Sequence, residues 1–560
     1  MKLLTLSSLN KVFKNKEPNF SEFTEYSALK NENFCFQIAF KAEAKEETEI
    51  NLSVFSPISD CISLYLVKNI PAGKNGEERS DSFHYDLNLK EFPDLLMPID
   101  GKFKVKKGEW HSVWVEVAPE EKKAGKKDIK VSFETAAGSF EKKFTLTILD
   151  DKLATHVSYK NPEGKIINVD HATMGNKAIA FVGTIGVQLG WLASQSDMLS
   201  EDWKIVENYI RNAVKHGVNM LLTPIFTPPL DTQVGGERPT VQLVGVTKKK
   251  GKYTFDFDNF ERYVKLCLDC GVEAFEISHM FTQWGAAAAP KIMATVNGKE
   301  KRIFGWETTA SGKAYTEFLE AFAKEFKKEV NKLGIKKRCW VHVSDEPNSE
   351  QLKTYKKAAD IVRRLFPDFN SFDALSDIEF YRNGLIKTPV CAEDEADIFR
   401  KEVKNFWTYY CCTQISDFLP NRMFAQPSQR SRVLGVLLYK YDAQGFLQWG
   451  HNFWYSQYSK HPIDPFKVTD AGNAFPSGDA FVVYPGKDGQ PLNSLRHKVI
   501  LDAFQDLRAL RLLESKTSRK YVLNLIEKGL DVPLSFRTYP HESQWLLNLR
   551  EEINNEINKA

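Results

Sequence analysis

The sequence lacks any apolar run approaching the roughly 18 residues that a membrane-crossing helix needs, so no span is expected. It lacks an excess of charge: 76 Lys and Arg face 73 Asp and Glu, a net of +3. That balance points to neither a nucleic-acid binder nor a polybasic membrane protein. Cysteine is scarce, 8 in 560 residues, and Cys267 and Cys270 form the one Cys-x-x-Cys. The pair lies in a helical pattern with no second pair, whereas a closed zinc site takes four ligands, so it reads as small core residues. No His-x-His or His-x-x-x-His spacing occurs either, and no metal or other cofactor is expected. Asn10-Lys11 cuts the first leucines too short for a secretory core; the expected compartment is the cytoplasm, with thiols reduced.

At 560 residues the chain exceeds one core, and its rhythm changes once. From about 30 to 150, period-two stretches such as Phe34 to Phe40, Trp110 to Val117 and Phe140 to Leu149 alternate with Lys- and Gly-containing turns. That spacing predicts a β-sandwich. After Asp151 strands and helices alternate: helices open at Ser200, Asp258, Lys313 and Ser349, and strands fit Val218–Thr223, Val272–Ser278, Phe369–Leu375, Phe406–Cys411 and Gly445–Trp449. The expected class is therefore α/β, a TIM-type (β/α)8 barrel behind an N-terminal β-sandwich, with a short helical C-terminal tail. The expected domains are 1–152, 153–515 and 516–560. Residues 473–489 read as loop, strand and turn closing the barrel, and Leu495 to Leu513 as a strongly amphipathic last barrel helix.

In such a barrel the site lies at the C-terminal ends of the strands. The run Cys339-Trp340-Val341-His342-Val343-Ser344 ends there on Asp345-Glu346-Pro347. Pro347 is expected to hold Glu346 extended, and Asn348 with its neighbours to cap the next helix. Other strand ends carry Asp231, Glu237 and Arg238; His279, Gln283 and Trp284; Trp407, Tyr409 and Tyr410; and Trp449, Asn452 and Trp454. Aromatic faces among a few polar groups suit a sugar, whose C–H face stacks while its hydroxyls take hydrogen bonds.

The blocks Phe226 to Asp231, Gly235 to Pro239, His279 to Trp284, Ser344 to Pro347, Trp407 to Tyr410 and Asp470 to Asp479 resemble, in the same order, the glycoside hydrolase family 123 group with its DUF4091-type catalytic region. The resemblance runs from about 200 to 515. It implies a β-sandwich ahead of a TIM barrel, β-N-acetylgalactosaminidase activity, and a catalytic role for Asp345 and Glu346. It implies as partner a glycan ending in β-linked GalNAc, on an oligosaccharide or a glycolipid. One block departs: the family's aromatic, His and Asp at the end of the first barrel strand are not found between Ser158 and Asp197. There the chain reads His171 to Asn176 and then an almost uncharged run from Ala178 to Ala193. A divergent strand with its loop, or a stretch read out of frame, both fit.

Adjacent carboxylates approach a substrate from one side, whereas a glycosidase with a protein nucleophile sets two about 5 Å apart across the bond. Neighbours suit a 2-acetamido sugar that supplies its own nucleophile, the amide oxygen, to give an oxazolinium ion. Asp345 is expected to accept the acetamido N–H and Glu346 to act as general acid and then base. Tyr409 or Tyr381 would orient the acetamido oxygen, Trp449 or Trp284 would form the platform, with Trp407 beside them, and Glu237, Arg238 and His279 would read hydroxyls. The alternatives are a non-catalytic carbohydrate-binding barrel and a metal-dependent hydrolase or isomerase using His279, His342, Asp345 and Glu346.

Overall fold

The computed structural model describes residues 1–18, 22–43, 46–118, 123–153, 159–160, 166–167, 179–181, 200–487 and 489–560; for 159–160, 166–167, 179–181 and 200–202 this is the backbone alone. The rest of the departing block, between Ser158 and Asp197, lies outside the described residues.

Two five-stranded sheets come first. One runs Lys2–Ser7, Phe34–Lys41, Trp110–Val117, Ile62–Pro71, Glu91–Pro98, antiparallel throughout. The other runs Glu25–Lys30, Gly138–Lys152, Gly125–Thr135, Glu47–Phe55, Phe103–Lys106, with its first pair parallel. Alternate phenylalanines join them face to face: Phe36 stacks on Phe144 with ring centres 4.3 Å apart, and Phe40 meets Phe133 at 5.2 Å. Period two finds six of these ten strands. It misses Lys2–Ser7, Glu25–Lys30, Glu91–Pro98 and Phe103–Lys106, which are short or interrupted by proline and charge.

The second part is a parallel sheet curled on itself. Its eight strands are β1 (Ile179–Phe181), β2 (Met220–Thr223), β3 (Ala274–Ile277), β4 (Cys339–Val341), β5 (Asn370–Ala374), β6 (Thr388–Ala392), β7 (Trp407–Tyr409) and β8 (Gly445–Gln448), and β8 pairs back to β1. The helices include α1 (Ser200–Lys215), α2 (Asp258–Asp269), α3 (Lys313–Lys332), α4 (Leu352–Leu365), α5 (Glu379–Arg382), α6 (Ala396–Glu402), α7 (Ser428–Arg432), α8 (Leu434–Lys440) and α9 (Leu495–Lys516). Strand β6, with Pro389 near its start, went unread because proline demotes a strand pattern. The ring is filled by Met220, Leu222, Trp340, Phe372, Val390 and Trp407 among others. Gly445 makes room for one of them: a Cβ there would stand 2.3 Å from the Trp407 ring.

Two expectations are corrected. Residues near 483 do not close the barrel; Val483–Pro485 pairs with Pro491–Asn493 as a small separate hairpin. Helix α9 is not amphipathic, since every residue from Leu495 to Leu507 is buried. The ring helices cover one side, while the N-terminal sheets and α11 (Ser543–Lys559, after α10, Arg519–Ile526) cover others. Its charges are consequently paired: Arg496 with Asp94 at 2.8 Å and Lys498 with Glu116 at 2.8 Å. The C-terminal segment is helical, and it packs on the rest: Arg550 on α11 bridges Glu32 and Asp506, and Tyr26 donates to the carbonyl of Leu547 at 2.8 Å. Among the described residues no helix is long and apolar enough to cross a membrane.

Candidate active site

Strand β4 delivers the acidic corner, and its neighbours fix it. Just beyond β4, the N–H groups of Val343 and Ser344 donate to the Asp373 carboxylate of β5, at 3.0 and 3.3 Å. The Ser344 hydroxyl donates to the carbonyl of Thr282 at 2.8 Å. The Asp345 carbonyl accepts from Trp284 N–H, and Glu346 N–H donates to the carbonyl of Ala374, each at 3.0 Å. Glu346 is not extended as expected: its φ is +43°, in the left-handed region. Pro347 by itself favours the extended region, but the bond to Ala374 goes with a left-handed Glu346, a strained choice for a residue with a Cβ. Asn348 then caps the next turn as expected, exchanging hydrogen bonds with Glu350 and Gln351 at 3.1 Å.

The corner opens into a cavity of about 250 Å³. Asp345, Glu346, Arg238, His279, Trp284, Tyr409 and Trp449 all line it. Gln283 donates through Nε2 to Asp345 Oδ2 at 2.8 Å, and the Tyr409 hydroxyl donates to Glu346 Oε1 at 2.6 Å. Burial pushes both carboxyls above their ordinary range. Asp345 is raised further by the charge of Glu346 beside it, and Glu346 is partly restrained by the Tyr409 hydrogen bond. Both carboxyls are thus pushed toward their protonated forms, and the two titrate as a coupled pair.

Beneath the pair lies a buried charge network. His342 sits between Asp373, 2.8 Å from Nδ1, and Glu276, 2.7 Å from Nε2. Burial alone would lower this imidazole, but the two carboxylates outweigh it and lift it to about 9, so it donates to both. His279 stacks on His342 with ring centres 3.9 Å apart, and burial keeps it neutral. Among the described residues His279, His342 and Asp373 are the group whose ligand atoms, within 4.8 Å of one another, could hold a metal ion. Both nitrogens of His342 face carboxylates, and Asp373 also takes the Tyr355 hydroxyl, so the imidazole offsets one of the two negative charges and its ring nitrogens are engaged.

Other candidates have different surroundings. Arg238 is buried, and its Nη1 donates to the carbonyl of Leu230 at 2.6 Å, which secures the loop carrying Asp231. Burial raises Asp231 to about 6, against the pull of Arg238 and the N–H of Tyr458 at 2.8 Å. Trp449 stands on Asp479, to which its indole donates at 3.1 Å; burial lifts that carboxyl to about 7, against nearby Arg422 and the Trp449 bond. Three expected residues stand off the cavity lining. Glu237 is half exposed and paired with Lys291 and Arg302. Tyr381 lies on short α5 with its hydroxyl 3.5 Å from the Glu402 carbonyl. Trp407 points into the ring core against Trp340, at 5.4 Å. The lining also includes Gln283, Asp231, Cys411, Cys412, Phe453, Tyr458 and Phe475. Gln283 had a signal, lying beside Trp284 in one block. Tyr458 had none, since a left-handed turn (φ +61°) between distant elements brings it in.

The comparisons with known proteins agree with this geometry. Residues 194–513 match the model of the glycoside hydrolase 123 catalytic domain. A family 123 glycoside hydrolase from Clostridium perfringens, described for glycolipid glycan hydrolysis, superposes with a TM-score of 0.72 at 14% identity, covering 100% of this chain and 97% of that one. That likeness shows the fold. A β-glucuronidase from Parabacteroides merdae (TM-score 0.32, 12% identity, 84% of this chain and 50% of that one) and a family 5 mannosidase from Rhizomucor miehei (0.34, 12%, 66% and 99%) superpose too loosely to add to it. No curated protein matches the sequence. A matched catalytic model over more than half the chain, joined to a cavity floored by two fixed carboxyls, places this chain in glycoside hydrolase family 123.

Proposed function

We propose that this hydrolase is a retaining exo-β-N-acetylgalactosaminidase that cleaves a terminal β-linked GalNAc with the sugar's own amide as nucleophile. The observation that carries the reading is the side-by-side placement of Asp345 and Glu346 on one flank, with an amide N–H, that of Gln283, already seated on Asp345. The acetamido N–H takes the same kind of place on the carboxylate. Once it does, Asp345 is stabilised as the anion, and that charge beside it favours the protonated form of Glu346. Glu346 protonates the leaving oxygen as the amide oxygen attacks the anomeric carbon; Asp345 balances the charge of the oxazolinium, and Glu346 then deprotonates the water that opens it. Of the two tyrosines considered, Tyr409 lines the cavity; its one O–H, donated to Glu346 in the free site, turns to the acetamido oxygen when the sugar enters, which also leaves Glu346 freer to keep its proton. Trp449 and Trp284 supply the ring platform.

A volume near 250 Å³ is at the small end of ligand pockets, which favours a terminal sugar over an internal chain segment. A glycolipid glycan is the proposed source of that sugar, on the analogy of the Clostridium protein. We also propose that the closed ring is a TIM-type (β/α)8 barrel and the two N-terminal sheets a β-sandwich, with boundaries at 1–152, 153–515 and 516–560. The test compares aryl β-GalNAc with aryl β-galactoside, identical but for the amide. Turnover confined to the amide-bearing substrate is expected; equal rates overturn the mechanism. Aryl β-GlcNAc as a third substrate reads the preference at carbon 4.

A further inference from the structure

Between β2 and α2 the chain makes a hairpin, Gly245–Lys249 with Lys252–Asp256; between β3 and α3 it makes a second, Ile292–Val296 with Lys299–Phe304. The two join in parallel, with Thr247 opposite Thr295 and Lys248 opposite Val296, so their turns lie side by side. Aromatic contacts orient them. Tyr253 meets Phe318 at 5.1 Å, Phe255 meets Phe322 at 5.5 Å and Phe257 meets Phe326 at 6.4 Å, so the second strand runs the same way as α3. Helix α3 starts at the end of the ring where the strands finish. The turn at Lys250-Gly251, which precedes Lys252, therefore extends past the start of α3 on the cavity's side of the molecule.

These tips carry Lys248, Lys249, Lys250, Lys252, Lys299 and Lys301 against one carboxylate, Glu300. Among the described residues no carboxylate pairs with any of the six within 4 Å, and all but Lys248, which lies over Tyr253, are exposed. On the same side the loop after β2 presents Val234, 67% exposed, and the cavity wall presents Trp284, 37% exposed. The net charge of +3 averages this concentration away.

We propose that this face docks on an anionic lipid surface, the six lysines meeting the headgroups while Val234 and Trp284 enter the interfacial layer, so that the cavity mouth faces the bilayer. Six basic residues fall in the range that binds acidic lipid, and their attraction fades within a Debye length, so only side chains at the tips count. The apolar pair distinguishes a bilayer from a soluble polyanion, which gains nothing from Val234. The inference does not depend on which sugar the cavity takes.

The test is flotation of the full chain with phosphatidylcholine vesicles, with and without about one third phosphatidylserine, at low and at ~0.15 M salt. Binding to the anionic vesicles alone, weaker at the higher salt, is expected. The combined variant Lys249→Glu, Lys250→Glu, Lys299→Glu and Lys301→Glu should lose about a thousandfold or more in partitioning, and Val234→Ser severalfold, each with unchanged turnover of a soluble aryl substrate. Equal flotation with neutral vesicles, an unaffected quadruple variant, or heparin binding that Val234→Ser leaves as it was while vesicles fail to bind would each overturn it. Because binding is read apart from turnover, such a failure leaves the glycosidase reading standing, and inactivity on every aryl glycoside leaves the docking result standing.

Discussion

Asp345 and Glu346 share one buried flank, so the protonation of each depends on the other, and the hydrogen bonds they accept decide where the proton rests. Glu346→Gln removes the donor while keeping the shape. Turnover of substrates with poor leaving groups should fall by about 10² to 10⁴, the usual worth of a general acid, and that of activated aryl glycosides by much less. Equal losses on both would assign Glu346 a different role. Tyr409 donates to Glu346, and that bond favours the ionised form, opposing the upward push of burial. Tyr409→Phe takes the restraint away, so the Glu346 carboxyl should rise further. The alkaline limb of kcat/KM, where the acid loses its proton, should then move to higher pH. A shift to lower pH would contradict the assignment. The sequence made the two acids and most of the lining legible, because strand ends in an α/β alternation collect the residues that meet a ligand. It misplaced Trp407 because that side chain shares the inner face of β7 with Tyr409 but lies two residues deeper, in the ring core, and Tyr381 because it sits on a short helix, α5, rather than at a strand end.

At the scale of elements, close approach sets the limits. Gly435 on α8 lies against α9, where a Cβ would stand 1.9 Å from the carbonyl oxygen of Ala503. The two helices cross backbone to backbone, and neither can yield without repacking the core around Phe504 and Leu507. Gly435→Ala should therefore destabilise by about 1–3 kcal/mol or more, the range for overpacking, despite the gain in helix propensity. The check is the urea midpoint, which should fall with its slope unchanged; an unchanged or higher midpoint would show that α8 and α9 can part at little cost. Helix α9 also shows why its pattern misled. Read alone, Arg496, His497, Lys498, Asp502 and Asp506 look like a solvated face, but each is buried in the structure. Periodicity reports one polar stripe and one apolar stripe; it does not report that a second layer of protein covers the polar one.

Across the whole molecule, buried charged groups as well as a continuous apolar cluster mark where the N-terminal sheets, the ring and the last helix meet. Arg496 makes two contacts to Asp94, 2.8 Å from Nε and 2.9 Å from Nη2, both side chains 2% exposed. Arg432 reaches Asp506 at 2.7 Å, and Arg550 ties Asp506 to Glu32. A buried pair adds little over an apolar substitute, yet removing one partner strands the other's charge. Arg496→Met should thus cost about 3–5 kcal/mol, and adding Asp94→Asn should restore part of it. Thermal unfolding of the two variants checks this; if the double variant is no more stable than the single, Asp94 is not left charged.

The amino-acid sequence by itself determined the order of the elements, the place of the acidic corner and the family, because these rest on local patterning and on blocks of residues that keep their spacing. Tertiary structure alone decided that Glu346 adopts a left-handed backbone, that His342 sits between Asp373 and Glu276, and that lysines scattered through two hairpins come side by side. Each of these depends on residues 28 to 66 positions apart meeting across neighbouring elements. Burial and neighbouring charge exist only once the chain has closed, and it is they that shift a proton or orient a face.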